Sequence, residues 1–280
     1  MLEPDRQDDK RKNLAEVLRE LRLAAGLSGQ RLAVRCAMSQ GKISRIETGK
    51  ILPSVMDVER ILKALRIEGA VVDELLHLAR RANVDYTSVR VLARIGLWQQ
   101  QEDLRALDES SLCIRHFLPA IPTGLLQIED YARCVLTPTV TGRPARDVER
   151  VLRARMARQE ILGDAERQFT FILTEQAVRW CRASAEVMAR QVQHLADVSR
   201  KKNVEIAIVC QSTPVPASPL SSFVVYDERL VRVEMFSGSV ALRDPRDVAY
   251  HLNIFQFFLD HALTGELATE FLRSVAREFG

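Results

Sequence analysis

Residues 38–50 read MSQGKISRIETGK. Three of them, Gln40, Lys42 and Arg45, are side-chain types that match base edges. Glutamine bridges adenine N6 and N7, and lysine or arginine bridges guanine O6 and N7. Each good bidentate pair gives about 1–3 kcal/mol of discrimination. Lys50 follows in a loop, where it can reach a phosphate. Residues 28–66 carry eight Lys/Arg against three Asp/Glu, a local net charge of +5, while the whole chain of 280 residues carries only +3. The modest total hides a basic module of the kind that attracts nucleic acid.

Catalytic chemistry finds little support in the same chain. There is no HExxH, and no other His/Cys/Asp set has metal-ligand spacing. Cys113 and His116 lie three apart and read as ordinary side chains on a helix. After Lys63 the only lysines are Lys201 and Lys202, adjacent in a polar turn. A lysine base must be desolvated to lose its proton near neutral pH. GxSxG, GxGxxG and P-loop patterns are absent. The expectation is a protein that is not an enzyme and needs no metal or cofactor.

The elements that must carry Gln40 and Arg45 are helical. Residues 13–25 place Leu14, Val17, Leu18, Leu21 and Ala25 on one stripe, and Gly26 stops it. Ser28 can cap a second helix with Leu32, Ala33 and Cys36 inward, and Ser39 can cap a short third one, QGKISRIE. Neither serine has Glu or Gln three residues on, so neither makes a full capping box. A fourth helix follows Pro53, with Ser54 and Asp57 in S-x-x-D spacing, and a fifth runs over 70–82. Helix, tight turn, short polar helix is the helix-turn-helix arrangement, whose second helix presents its N-terminal residues to the DNA major groove. A solvated face on a small bundle is the bland alternative. Here turn length, caps, apolar spacing, the terminal E-x-G-K and the basic excess coincide, which favours DNA. Gly41 sits in the first turn, where a poor helix former costs less, and its missing side chain lets the backbone approach the groove.

The stretch LSGQRLA…MSQGKISRIETGK…P resembles the phage-repressor (XRE-type) class of helix-turn-helix domains over residues 13–66. That resemblance implies base reading by Gln40, Gly41 and Lys42, with Ser44 and Arg45 one turn on. The class has glutamine at the start of its second helix where this chain has Gly29. A phosphate contact there falls to backbone N–H groups near Ser28 and Gly29, helped by Gln30. The resemblance also implies a pair between Arg22 and Glu47 that clamps two helices and aims Arg22 at the DNA backbone.

Beyond about residue 110 the texture changes. FTFIL (169–173) and VEIAIVC (204–210) look like buried strands with a helix over 185–200 between them, and SSFVVYDERLVRVEMF reads as a hairpin turning at 227–229. SVALRD can add a strand, and helices over 246–263 and 266–279 close the chain. The expected architecture is an N-terminal all-α helix-turn-helix domain (1–84), a linker or polar helix (85–109), and a C-terminal α+β domain (110–280) with a small, largely antiparallel sheet. The runs IPTGLLQIEDYARCVL, VERVLRARMARQEIL, FTFILTEQAVRW, VMARQVQHL and SSFVVYD resemble the C-terminal domain of actinobacterial antitoxin-like transcriptional regulators. Thr123 stands where that family has proline, and Ile128 where it has threonine. The resemblance implies a regulator, often beside a small partner protein.

Other features have plainer readings. Arg146, Arg150, Arg153, Arg155 and Arg158 are expected on a solvated helix face, with a second phosphate contact or acidic partner as the alternative. Glu175 and Gln176 are expected to cap a helix rather than bind a ligand. Phe255 and Phe258 are expected in the core, and Phe257 lies off that stripe. Five scattered cysteines read as free thiols, the charged N-terminus is no signal peptide, and no apolar run is long enough for a membrane. The location expected is cytoplasmic. The function expected is a sequence-specific double-stranded DNA-binding transcriptional regulator, a homodimer. The alternatives are an antitoxin-like module that sequesters a small partner and autoregulates, and a small-molecule-sensing regulator.

Overall fold

The computed structural model describes residues 4–91, 96–141 and 147–280, with the side chains of 4–13 outside that description. Two compact units emerge: Met1–Asp85 with Ala241–Pro245, and Tyr86–Val240 with Arg246–Gly280.

The first unit contains α1 (Pro4–Ala24), α2 (Gly29–Arg35), α3 (Gln40–Glu47), α4 (Val55–Leu65) and α5 (Ala70–Asn83). Leu14 and Leu18 of α1, Leu32 of α2, Ile43 and Ile46 of α3, Val58 and Ile61 of α4 and Leu75 of α5 share one core. These are positions of the apolar stripes, so side-chain periodicity alone sets which face of each helix turns inward. Gly26 ends α1 with φ +64°, a backbone state that suits glycine. Ser54 and Asp57 form a full capping box at the start of α4. The same helix start is satisfied again from far along the chain: Val55 N–H donates to Asp244 Oδ2 at 3.0 Å.

Seven strands form one sheet in the order β1-β7-β6-β5-β2-β3-β4. They are β1 (Val84–Ser88), β2 (Cys113–Leu118), β3 (Gln168–Thr174), β4 (Val204–Val209), β5 (Ser222–Tyr226), β6 (Leu230–Met235) and β7 (Gly238–Leu242). The helices of the second unit are α6 (Leu97–Glu109), α7 (Glu129–Leu136), α8 (Val148–Arg158), α9 (Glu175–Arg179), α10 (Ala185–Val198), α11 (Pro245–Leu259) and α12 (Gly265–Glu278). Among the described residues no helix is long and apolar enough to cross a membrane.

The sheet is neither small nor largely antiparallel. β2, β3 and β4 run parallel, and the β2–β5 and β5–β6 pairings are antiparallel. Helical crossovers cause this: α7 and α8 lie between β2 and β3, and α9 and α10 between β3 and β4. A crossover returns the chain to the same end of the sheet, so the next strand runs parallel. β2 escaped notice because Arg115 and His116 interrupt its apolar residues. Cys113 and His116 are therefore on a strand, not a helix. His116 is buried and stacks on Phe171 at 4.9 Å between ring centroids. Burial pushes its ring down to about 3, so it is a neutral core side chain.

Two further expectations change. The arginines of α8 do not all lie on a solvated face: Arg158 is buried beside Asp108 at 3.5 Å, and half-buried Arg155 donates to Gln127 Oε1 at 2.6 Å. Arg150 and Arg153 are exposed as expected of such a face, Arg150 lying 3.9 Å over the Trp98 ring, while the helix also packs against α6 and Arg146 lies outside the described residues. The cap of α9 is Thr174, whose hydroxyl accepts from Ala177 N–H. Glu175 instead takes Arg179 Nε at 2.6 Å and Gln211 N–H at 2.9 Å. Phe255 and Phe258 are buried and Phe257 is half-buried.

Candidate nucleic-acid interface

The turn that aims α3 is built by residues 36–39. Cys36 closes α2, and Ala37 takes φ +53°, a left-handed backbone that a side chain disfavours. Met38 N–H then returns to Ala33 O at 2.9 Å. Ser39 opens α3 by accepting Lys42 N–H on its hydroxyl at 3.2 Å, as Ser28 opens α2 by accepting Arg31 N–H at 3.2 Å. Both serines satisfy donors that a helix start leaves without partners.

Once α3 is set, its two faces separate. Ile43 and Ile46, at 1% and 0% exposure, fix it to the core. Gln40, Gly41, Ser44 and Arg45 are exposed on the other side. Arg45 Nε donates back to Gly41 O at 3.2 Å, which lays the guanidinium along the helix start. A Cβ built on Gly41 meets no atom within 4 Å, so the domain's own packing does not require glycine there. The helix ends on Thr48, and Gly49 follows with φ +67° before exposed Lys50. This left-handed residue is the reason for glycine in E-x-G-K.

The clamp is present. Arg22 Nε and Nη2 meet Glu47 Oε1 and Oε2 at 2.6 and 2.8 Å, and Nη1 donates to Leu27 O at 2.7 Å. The bidentate hydrogen bond to Glu47 raises the Arg22 pKa above its ordinary value, so it stays charged. Its side chain is only 11% exposed. Geometry thus gives Arg22 the structural half of its expected role, since most of its donors are spent inside the domain.

Lys42 is also drawn inward: its Nζ lies 2.7 Å from Asp57 Oδ1. Asp57 Oδ2 meanwhile accepts Ser54 N–H at 3.1 Å. One carboxylate therefore both caps α4 and holds the third residue of α3. Sequence reasoning saw Asp57 only as a cap; the S-x-x-D spacing carried no sign of the lysine. Around this site Gln30, Arg31, Arg35, Lys50, Arg60, Lys63 and Arg66 are exposed, while Ser28 is exposed and Gly29 half-buried. Among the described residues no group of His, Cys, Asp and Glu is arranged to hold a metal.

Two family models match separate stretches of the chain. Residues 13–75 match the family described as a helix-turn-helix domain. No curated protein matches the chain. Among solved structures, Nuc, a phospholipase D family member from Salmonella typhimurium, is 13% identical with a TM-score of 0.34, covering 65% of this chain and 95% of that one. TrmBL2, an archaeal chromatin protein, is 14% identical with a TM-score of 0.33, covering 74% of this chain and 66% of that one. TM-scores this low establish no shared fold. Residues 101–274 match the family described as "Domain of unknown function (DUF5753)", and the chain, with a helix-turn-helix domain before that region, belongs to this family.

Proposed function

We propose that the protein is a sequence-specific double-stranded DNA-binding transcriptional regulator. The observation that carries this reading is the exposed face of α3: Gln40, Ser44 and Arg45 stand opposite the two isoleucines that lock the helix into a helix-turn-helix unit. In the major groove, Gln40 and Arg45 read base edges. Gly41 brings the helix backbone close, and Lys42 joins the readers after leaving Asp57. Ser28, Gly29 and Gln30 at the start of α2, with Lys50 past α3, take phosphates. Arg22 and Glu47 fix the angle between α1 and α3.

Two copies on one duplex, acting in the cytoplasm, would place half-sites about 34 Å apart, one helical turn of DNA. Gel-shift competition on the DNA upstream of the protein's own reading frame tests the proposal. A labelled duplex that resists unrelated competitor supports it, and equal competition by any duplex refutes it. The resemblance of residues 110–280 to antitoxin-like regulators supports a further small partner protein. Co-purification of a stoichiometric partner on the full chain tests that part separately.

A further inference from the structure

The second unit contains a cleft of about 550 Å³, within the range of about 300–1,000 Å³ typical of small-molecule sites. Phe117, Phe223 and Phe258 line it and are each at most 3% exposed. Their rings lie 5.2 Å (Phe117–Phe223) and 4.5 Å (Phe117–Phe258) apart, a continuous aromatic base. α11 adds His251, Ile254 and Phe257. The opposite side is the proline-rich stretch after β4, where Ala217, Ser218 and Leu220 line the cleft. Leu220 is 91% exposed. A leucine held in water beside an aromatic base gains burial once the cleft is filled.

Among the described residues the lining contains no Asp, Glu, Lys or Arg. A charged molecule entering here would shed its hydration without an ion to replace it. The polar groups are few, and one has a defined role. His251 Nδ1 lies 2.8 Å from the carbonyl oxygen of Asp247. A carbonyl can only accept, so Nδ1 carries a proton, and in that tautomer Nε2 is the acceptor. The ring itself is held edge-on to Phe223 at 5.1 Å.

We infer that this cleft binds a small, neutral aromatic molecule carrying one hydrogen-bond donor, which His251 Nε2 accepts. The inference is independent of DNA recognition, because binding is read without DNA. The test uses the full chain and two probes, 1-naphthol and 1-methoxynaphthalene, which share a ring system but differ in the donor. Calorimetric titration should show one 1-naphthol per chain, bound about three- to tenfold tighter than the methoxy compound, the size of one net hydrogen bond. His251→Phe should erase that preference while leaving the methoxy compound bound. Ala217→Trp, a change at an exposed position, should fill the cleft and abolish binding of both, with the thermal unfolding midpoint unchanged. Absence of saturable binding, binding that Ala217→Trp leaves intact, or a preference that survives His251→Phe overturns the inference. So does self-association that Ala217→Trp dissolves, which would assign the cleft to a second copy.

Discussion

Lys42 Nζ and Asp57 Oδ1 are 2.7 Å apart, so a residue expected to face DNA is tied to its own domain. The lysine side chain is 39% exposed and the aspartate 9% exposed, which places the pair at the margin of solvent. The pair is open to water at its lysine end, and solvent screening there limits such an attraction to about 1 kcal/mol. A phosphate or guanine can therefore compete for the ammonium, and the pair acts as a latch on Lys42.

Asp57→Asn opens that latch. Asparagine keeps an acceptor for Ser54 N–H, so α4 retains much of its cap. The freed lysine should tighten non-specific binding and steepen the salt dependence by about one unit of slope. Fluorescence anisotropy of a random duplex across a salt series measures both, and an unchanged slope contradicts the latch.

Gly41→Ala separates folding from recognition. Nothing lies within 4 Å of the added Cβ, and Gly41 has no positive φ. Stability should rise by up to about 1 kcal/mol in denaturant unfolding. Affinity for the operator should fall if the backbone approaches the groove here. A variant that is more stable and binds DNA equally well removes Gly41 from the interface.

Arg22→Met and Glu47→Gln should each destabilise the first unit by roughly 2 kcal/mol, because each leaves its partner's charge nearly buried and unpaired. Combining them should cost less than the sum. A double-mutant cycle by urea unfolding measures the coupling, and additive losses would mean that the two side chains do not act as a clamp.

Asp108 and His116 give opposite pH dependences over one window, because burial holds the His116 ring down to about 3 and stability from it rises with pH. Burial pushes the Asp108 carboxyl up to about 6, against the opposing pull of Arg158, and Glu109, Arg232 and Arg167 contribute less. Its ordinary value is 3.8, so the folded state holds this proton more tightly than the unfolded state. The stabilisation is complete below about pH 4 and is lost as pH rises towards 6. The unfolding free energy of the wild type minus that of Asp108→Asn, in which the His116 contribution cancels, should fall by roughly 1–3 kcal/mol over that window. The variant as a whole loses stability because Arg158 stays buried. A difference between the two proteins that does not change with pH would locate the titration elsewhere.

The helices of the first unit were legible because every signal for them is local. Leu14 and Leu18 repeat at helical spacing, Ser39 precedes QGKISRIE, and Gly49 marks a left-handed turn. The pairings of Lys42 with Asp57 and of Val55 with Asp244 were not legible, since they join residues 15 and 189 positions apart. The sheet was misjudged for a related reason. FTFIL and VEIAIVC reveal strands by composition, but direction comes from crossovers, and β2 hides behind Arg115 and His116. Arg158 looked like a surface arginine until Asp108, fifty positions earlier on another helix, accounted for its burial.

The central claim is that α3 reads base sequence through Gln40 and Arg45. Its most direct test is the specificity ratio: affinity for a duplex selected from a random pool, divided by affinity for the same duplex scrambled, at fixed salt. The wild-type chain should give a ratio of about a thousand or more, and Gln40→Ala with Arg45→Ala should lower it by at least about tenfold while the first unit still folds. A ratio near one in the wild type, or one unchanged by the double substitution, would contradict the claim.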